Sequence, residues 1–87
     1  MIARYRLRPY VKKELVAARQ AQQENHVQLA ELRYERALIL STFAPRQRVG
    51  IYIRMAWFWT RQRQLNKTRE ALTQARKHLF ITHHASF

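Results

Sequence analysis

The sequence predicts an all-α protein, built as one long antiparallel helical hairpin. The 87 residues include one Gly and two Pro, which leaves little material for the tight turns that sheets require. Apolar residues make up 47% of the chain, more than a disordered basic tail would carry. They recur three and four residues apart over two long segments, as in a coiled coil. A chain of this length is expected to form a single domain.

The first nine residues are predicted to form a basic arm outside the helices. Arg4, Arg6 and Arg8 alternate with other residues, and a period of two suits an extended chain. Such an arm would bind phosphate groups or add a strand to the sheet edge of a partner. A frayed basic terminus is the alternative, because terminal segments stay ordered only where something holds them.

A first helix is predicted over residues 10–43, because no Gly or Pro interrupts the chain after Pro9. Ser41 and Thr42 precede Pro45 and would either end this helix or cap the next one. Positions alternately four and three apart define an apolar seam with three polar members. The seam consists of Val11, Leu15, Ala18, Gln22, Asn25, Leu29, Leu32, Arg36, Ile39 and Phe43.

A second helix is predicted over residues 45–81, with residues 82–87 as a C-terminal tail. Pro45 suits the first turn of a helix, where its missing N–H costs nothing. A break near Asn66 is the alternative and would give three helices. The same spacing continues the seam through Ile51, Met55, Phe58, Gln62, Leu65, Arg69, Leu72, Arg76 and Leu79.

The short link between these predicted helices makes them antiparallel neighbours. None of the first four Glu residues has a Lys or Arg three or four positions away, so pairing within one helix cannot account for them. Folding the chain back at the link places Glu35 beside Arg54. The same register places Arg33 over the ring of Trp59.

The aromatic run between Ile51 and Trp59 predicts a surface that needs a partner. Ile53 and Trp57 point nearly opposite to the seam, and a two-helix hairpin cannot bury both faces. We therefore expect Ile53, Trp57 and Trp59 to form a protein interface, covered by a third helix, a second copy or another protein. Stacking of nucleic-acid bases on these rings is the alternative.

The charge distribution predicts an acidic or polyanionic partner. The net charge is +12, and residues 46–87 hold nine basic residues against Glu70 alone. A solvated face normally mixes both signs, whereas arginine suits phosphate and carboxylate alike. The predicted binding residues are Arg4, Arg6, Arg8, Arg46, Arg48, Arg61, Arg63, Lys67, Arg69, Arg76 and Lys77.

No enzymatic activity, cofactor or metal is predicted. The chain has no Asp, no Cys and no Gly-rich loop, so the residues of the common catalytic motifs are missing. His78, His83 and His84 lack the spacing of a zinc site. The most apolar stretch, residues 49–59, is shorter than the ~20 residues of a membrane-spanning helix. The absence of Cys fits a cytoplasmic location.

These observations rank nucleic-acid binding, to DNA or RNA, as the leading functional hypothesis, with Arg and Lys contacting phosphates. The alternative is a small accessory or inhibitor protein. It would dock its aromatic helix and basic face onto a larger acidic-surfaced protein, such as a nucleic-acid enzyme. Adsorption to an anionic membrane surface is a third reading. Self-association or a partner protein is expected to complete the fold.

Overall fold

The computed structural model describes the backbone of residues 2–85 and the side chains of residues 7–81. Over this range the chain is helical, which confirms the predicted all-α class. The helices are α1 (Ile2–Gln23), α2 (Val27–Leu40), α3 (Pro45–Arg61) and α4 (Leu65–Ala85). They pack in pairs, α1 on α2 and α3 on α4. The chain thus divides into two compact units, which we call the first hairpin (1–43) and the second hairpin (44–87).

Two breaks correct the predicted helix lengths. The helix expected over residues 10–43 is interrupted at Asn25, and the helix expected over residues 45–81 is interrupted at Arg63. The three-helix alternative placed a break near Asn66. The observed break lies three residues earlier, at Arg63. One long hairpin is thereby replaced by two short ones, each folded within a segment that was expected to be a single helix.

Both hairpins turn through the same backbone motif. Asn25 and Arg63 adopt the left-handed conformation, with φ of 62° and 58°. The residue after Asn25 donates its N–H to the Ala21 carbonyl at 2.8 Å, and the residue after Arg63 donates to the Trp59 carbonyl at 2.9 Å. This is the Schellman motif, which satisfies carbonyls that a helix end leaves open. Asn tolerates the left-handed conformation, so Asn25 carried a local signal for the turn, whereas Arg63 carried none.

The boundary between the hairpins follows the sequence signals. The Ser41 hydroxyl donates to the Leu38 carbonyl at 3.1 Å, and the Thr42 hydroxyl donates to the Ile39 carbonyl at 2.6 Å. These bonds satisfy carbonyls of the last turn of α2, so the two hydroxyl residues end this helix rather than cap the next. Pro45 begins α3, as predicted.

The predicted arm and tail are also corrected. Helix α1 begins at Ile2 and contains Pro9, so residues 2–9 are helical rather than extended. Proline has a helical φ of about −65°, and a helix can therefore pass through it with the loss of one hydrogen bond. Helix α4 continues to Ala85, into the segment 82–87 that was expected to be a tail.

Small side chains form the core of the first hairpin. Ala18 of α1 and Ala30 and Ala37 of α2 are completely buried. Alanine at facing positions lets two helices approach at the short end of the usual 8–10 Å range. Tyr34 adds the largest buried ring, and its hydroxyl donates to Gln22 Oε1 at 2.9 Å. Among residues 7–43, the core of this hairpin therefore combines small side chains with one buried aromatic ring.

An ion pair crosses the first hairpin and corrects the predicted register. Arg33 Nη1 lies 3.2 Å from Glu14 Oε2, so a carboxylate of α1 meets a guanidinium of α2. The predicted register placed Arg33 over Trp59 instead. The ring of Trp59 is covered by Lys67, whose Nζ lies 4.2 Å from the ring centroid. Glu14, which has no basic residue three or four positions away in its own helix, thus pairs with a residue of the next helix.

Larger side chains form the core of the second hairpin. Ile51 and Phe58 of α3 are the largest fully buried apolar side chains among the described residues, and Trp59 is only 6% exposed. The rings of Phe58 and Trp59 lie 4.7 Å apart between centroids. Helix α4 contributes Ala71 and Ala75. The small side chains of one helix thus accommodate the bulky side chains of the other.

The predicted seam is correct on α1 and α3 and wrong on α2 and α4. Val11, Ala18, Ile51 and Phe58 are buried, as expected for seam residues. The three non-helical residues in each turn interrupt the repeat of about 3.6 residues, so the spacing carried across the turn selects the wrong face. The apolar seam residues that are exposed instead are Leu29, Leu32, Ile39, Phe43, Leu65, Leu72 and Leu79.

Candidate functional site

The first candidate surface is the side of α3 that faces away from the hairpin core. Helical spacing brings together an indole, an isoleucine, three arginines and a glycine on this side. Ile53 is 42% exposed and Trp57 is 66% exposed, as the spacing predicted. We call this surface the α3 outer face and define it by Arg46, Gly50, Ile53, Arg54, Trp57 and Arg61.

The α3 outer face has a charge of one sign only. Helix α3 contains no acidic residue, and its first turn carries Arg46 where the helix dipole disfavours a cation. Its N-cap residue, Ala44, makes no side-chain capping bond. Both features leave the start of α3 electropositive. An anionic group near this surface would therefore meet the arginines and a favourable dipole at once.

Gly50 on this face has no explanation within the hairpin. It is the only glycine of the chain, and it lies inside a helix, where glycine is less favourable than alanine by roughly 1 kcal/mol. A Cβ atom added there would meet nothing within 4 Å. The packing of α3 on α4 therefore does not require the small residue.

The second candidate surface is a stripe along α4. Leu65, Leu72 and Leu79 are 64%, 45% and 58% exposed, and the intervening Arg69 and Arg76 are exposed as well. We call these five residues the α4 leucine stripe. Ala71 and Ala75 mark the buried side of the same helix, which at 100° per residue lies about 40–120° around α4 from the three leucines.

Two of the predicted binding residues, Trp59 and Lys67, contact each other within the second hairpin. Trp59, which we expected at an interface, is buried in the core, and this corrects the prediction. At 100° per residue Trp59 lies about 80° around α3 from the buried Ile51, on the core side of the helix, and Lys67 of α4 lies against its ring. The Lys67 ammonium is therefore engaged by a cation–π contact as well as being near solvent.

Arg48 is likewise engaged within the hairpin and not freely displayed. Its guanidinium carbon lies 5.7 Å from the centroid of the Tyr52 ring, and its Nη1 lies 3.4 Å from His78 Nε2. The His78 ring stacks at a tilt on Tyr52, 5.4 Å between centroids, and its Nδ1 lies 2.9 Å from the Gln74 carbonyl. If Nδ1 carries the proton and donates to that carbonyl, Nε2 is the nitrogen that accepts from Arg48. This cluster joins α3 to α4, which sequence reasoning missed because it left Tyr52 out of the seam.

The remaining predicted cations whose side chains the structure describes are on the surface. The structure gathers Arg46 and Arg61 on the α3 outer face, and Arg69 and Arg76 on the α4 leucine stripe. The side chains of Arg4 and Arg6 lie outside the described residues. The other exposed cations are Arg8 in α1, Arg63 in the turn and Lys77 on α4.

Between residues 7 and 81, no three side chains of His, Cys, Asp or Glu come close enough to hold a metal ion. The side chains of His83 and His84 lie outside the described part. None of the described helices is both long enough and apolar enough to span a bilayer. No protein-family model, curated protein or solved structure matches this chain.

Proposed function

We propose that this chain is a non-catalytic docking protein whose second hairpin binds a protein with an acidic and partly apolar surface. The observation that carries this proposal is the α3 outer face, where Trp57 and Ile53 are exposed among arginines with no acid on the helix. An accessory protein and an inhibitor are two forms of this function. Both would use the same surface.

The composition of the α3 outer face suits protein recognition. Trp and Arg are the residue types most enriched among the side chains that dominate protein–protein binding energies. An indole buried at an interface typically contributes ~2 kcal/mol or more, whereas phosphate groups offer it no apolar surface. The guanidinium groups of Arg46, Arg54 and Arg61 can each form paired hydrogen bonds with a carboxylate. Gly50 supports the same proposal, since a partner could approach the α3 backbone closely there.

The test is a photo-crosslinking amino acid at position 57, introduced in cells that produce the protein. We expect a crosslinked adduct that is degraded by protease, resists nuclease and does not form with the crosslinker at exposed Gln20. Gly50→Ala should lower the yield of this adduct while making the free protein more stable by about 0.5–1 kcal/mol. A nuclease-sensitive adduct, or equal crosslinking from both positions, would overturn the proposal.

Nucleic-acid binding is the second candidate, and the charge of the second hairpin favours it. Residues 44–87 carry nine basic residues and one acid, and eight of the nine cations are exposed. Fluorescence anisotropy with duplex DNA and an RNA hairpin tests this candidate. Binding through phosphates should weaken with salt, with a slope of about 0.9 in log K per neutralised phosphate on duplex DNA. Failure to bind either at low salt would eliminate it.

A further inference from the structure

We infer that the α4 leucine stripe binds an amphipathic helix of the partner, with leucine-type residues along its seam and carboxylates facing Arg69 and Arg76. The inference rests on the proposed function to the extent that the partner is a protein. It concerns a different helix from the one that carries Trp57, so the two can fail separately.

The spacing of the stripe is that of one strand of a coiled coil. Leu65, Leu72 and Leu79 recur every seven residues, and Arg69 and Arg76 occupy the alternate seam positions. All five side chains are exposed, so this seam is complete along about four turns of α4 and has no partner among the described residues of the hairpin. A second helix is the shape that such a seam accommodates, through knobs-into-holes packing.

The two arginines determine the chemistry of that helix. A second helix would remove Arg69 and Arg76 from water, and a desolvated charge is tolerated only when it is paired and hydrogen-bonded. Arginine pairs best with a carboxylate, which accepts two parallel hydrogen bonds. The partner helix is therefore expected to carry Glu or Asp at the positions that face these residues.

A second copy of this chain fits the stripe poorly. The only acid of residues 44–87 is Glu70, which lies roughly 100–180° around α4 from the stripe residues. Pairing two α4 helices would leave four arginines at the seam without carboxylates. The exposed apolar side of α2, with Leu32 and Ile39, carries Arg36 between these residues and would add a further cation.

The test measures binding of the full chain to three synthetic 21-residue peptides. The first has heptads with leucine at one seam position and glutamate at the other, the second has the same composition in scrambled order, and the third has lysine in place of each glutamate. We expect the first peptide to bind at least tenfold more tightly than either of the others. The scrambled peptide separates a seam from simple attraction to acidic chains.

Two variants that each remove one positive charge test whether the peptide binds at the stripe. Arg76→Gln should weaken binding of the acidic heptad peptide at least fivefold, whereas Lys77→Gln, which is off the stripe, should change it less than twofold. Leu72→Gln should also weaken it, with helix content unchanged by circular dichroism. Equal effects of the two charge variants, equal binding of the scrambled peptide, or self-association through Leu72 that excludes the peptide would overturn the inference. None of these outcomes bears on crosslinking from position 57.

Discussion

The two hairpins share their backbone turn geometry and differ in the side chains that join their helices and cover their surfaces. When Asn25 is aligned with Arg63, the buried residues Ala18 and Ala37 coincide with the buried Ala56 and Ala75. The turn hydrogen bonds coincide as well. The two hairpins therefore share their turn geometry and a buried alanine on each helix.

The hairpins differ in their charge and in the contacts that join their two helices. The first hairpin contains four of the five Glu residues and joins its helices through the Glu14–Arg33 ion pair. The second joins them through the Arg48, Tyr52 and His78 cluster and contains nine of the seventeen basic residues with one Glu. The first hairpin thus satisfies more of its charge internally. In the second, eight of the nine cations are exposed.

The largest difference in stability between the two hairpins should appear when an aromatic core residue of the second hairpin is replaced by alanine. Phe58 is completely buried, while the aligned residue of the first hairpin, Gln20, is exposed. Phe58→Ala should lower the free energy of unfolding of the second hairpin by about 3–5 kcal/mol. Gln20→Ala should change stability by less than about 0.5 kcal/mol. Amide hydrogen exchange resolved by helix should show lost protection in α3 and α4, and equal loss in α1 and α2 would contradict two separate cores.

The alanine positions provide the next test, because these side chains are buried between the paired helices. Ala37 is completely buried, whereas Ala75 is 6% exposed. Ala37→Leu should lower the free energy of unfolding by about 1–3 kcal/mol through overpacking. Ala75→Leu should cost less, because its side chain can reach solvent. Urea denaturation measures both, and a more stable Ala37→Leu protein would show that the first hairpin is loosely packed.

The sequence predicted the helical class and the buried sides of α1 and α3, because apolar spacing within one helix is a local property. It failed where the chain reverses. Asn25 was placed in the seam as a polar member, although Asn is among the few residues that adopt a left-handed conformation readily. Arg63 is not such a residue, so its turn had no local signal. Because the seam continued across both turns, it predicted that the residues of the α4 leucine stripe are buried. The spacing predicted the exposure of Ile53 and Trp57 correctly, because they lie on the same helix as the residues that define its seam.

The turns themselves should respond differently to glycine. A non-glycine residue in the left-handed conformation costs roughly 1–2 kcal/mol, and less when it is Asn. Arg63→Gly should therefore raise the free energy of unfolding by about 0.5–1 kcal/mol, after the greater entropy of glycine in the unfolded chain is subtracted. Asn25→Gly should change it by only a few tenths of a kcal/mol. Thermal unfolding measures both variants, and a destabilised Arg63→Gly protein would mean that the arginine side chain holds the turn.

The smallest expected effect tests how each hairpin joins its helices. The Glu14 and Arg33 side chains are 17% and 32% exposed, so a double-mutant cycle with Glu14→Gln and Arg33→Gln should give a coupling of about 0.2–1 kcal/mol. In 1 M NaCl the Debye length falls to about 3 Å, and this coupling should decrease. The corresponding cycle in the second hairpin combines Arg48→Gln with His78→Ala. Arg48 contacts the Tyr52 ring and an imidazole nitrogen of His78, so no carboxylate takes part in this interaction. Its coupling should therefore persist in high salt. If salt weakens both couplings equally, the two hairpins are joined by the same kind of interaction and the contrast between them is wrong.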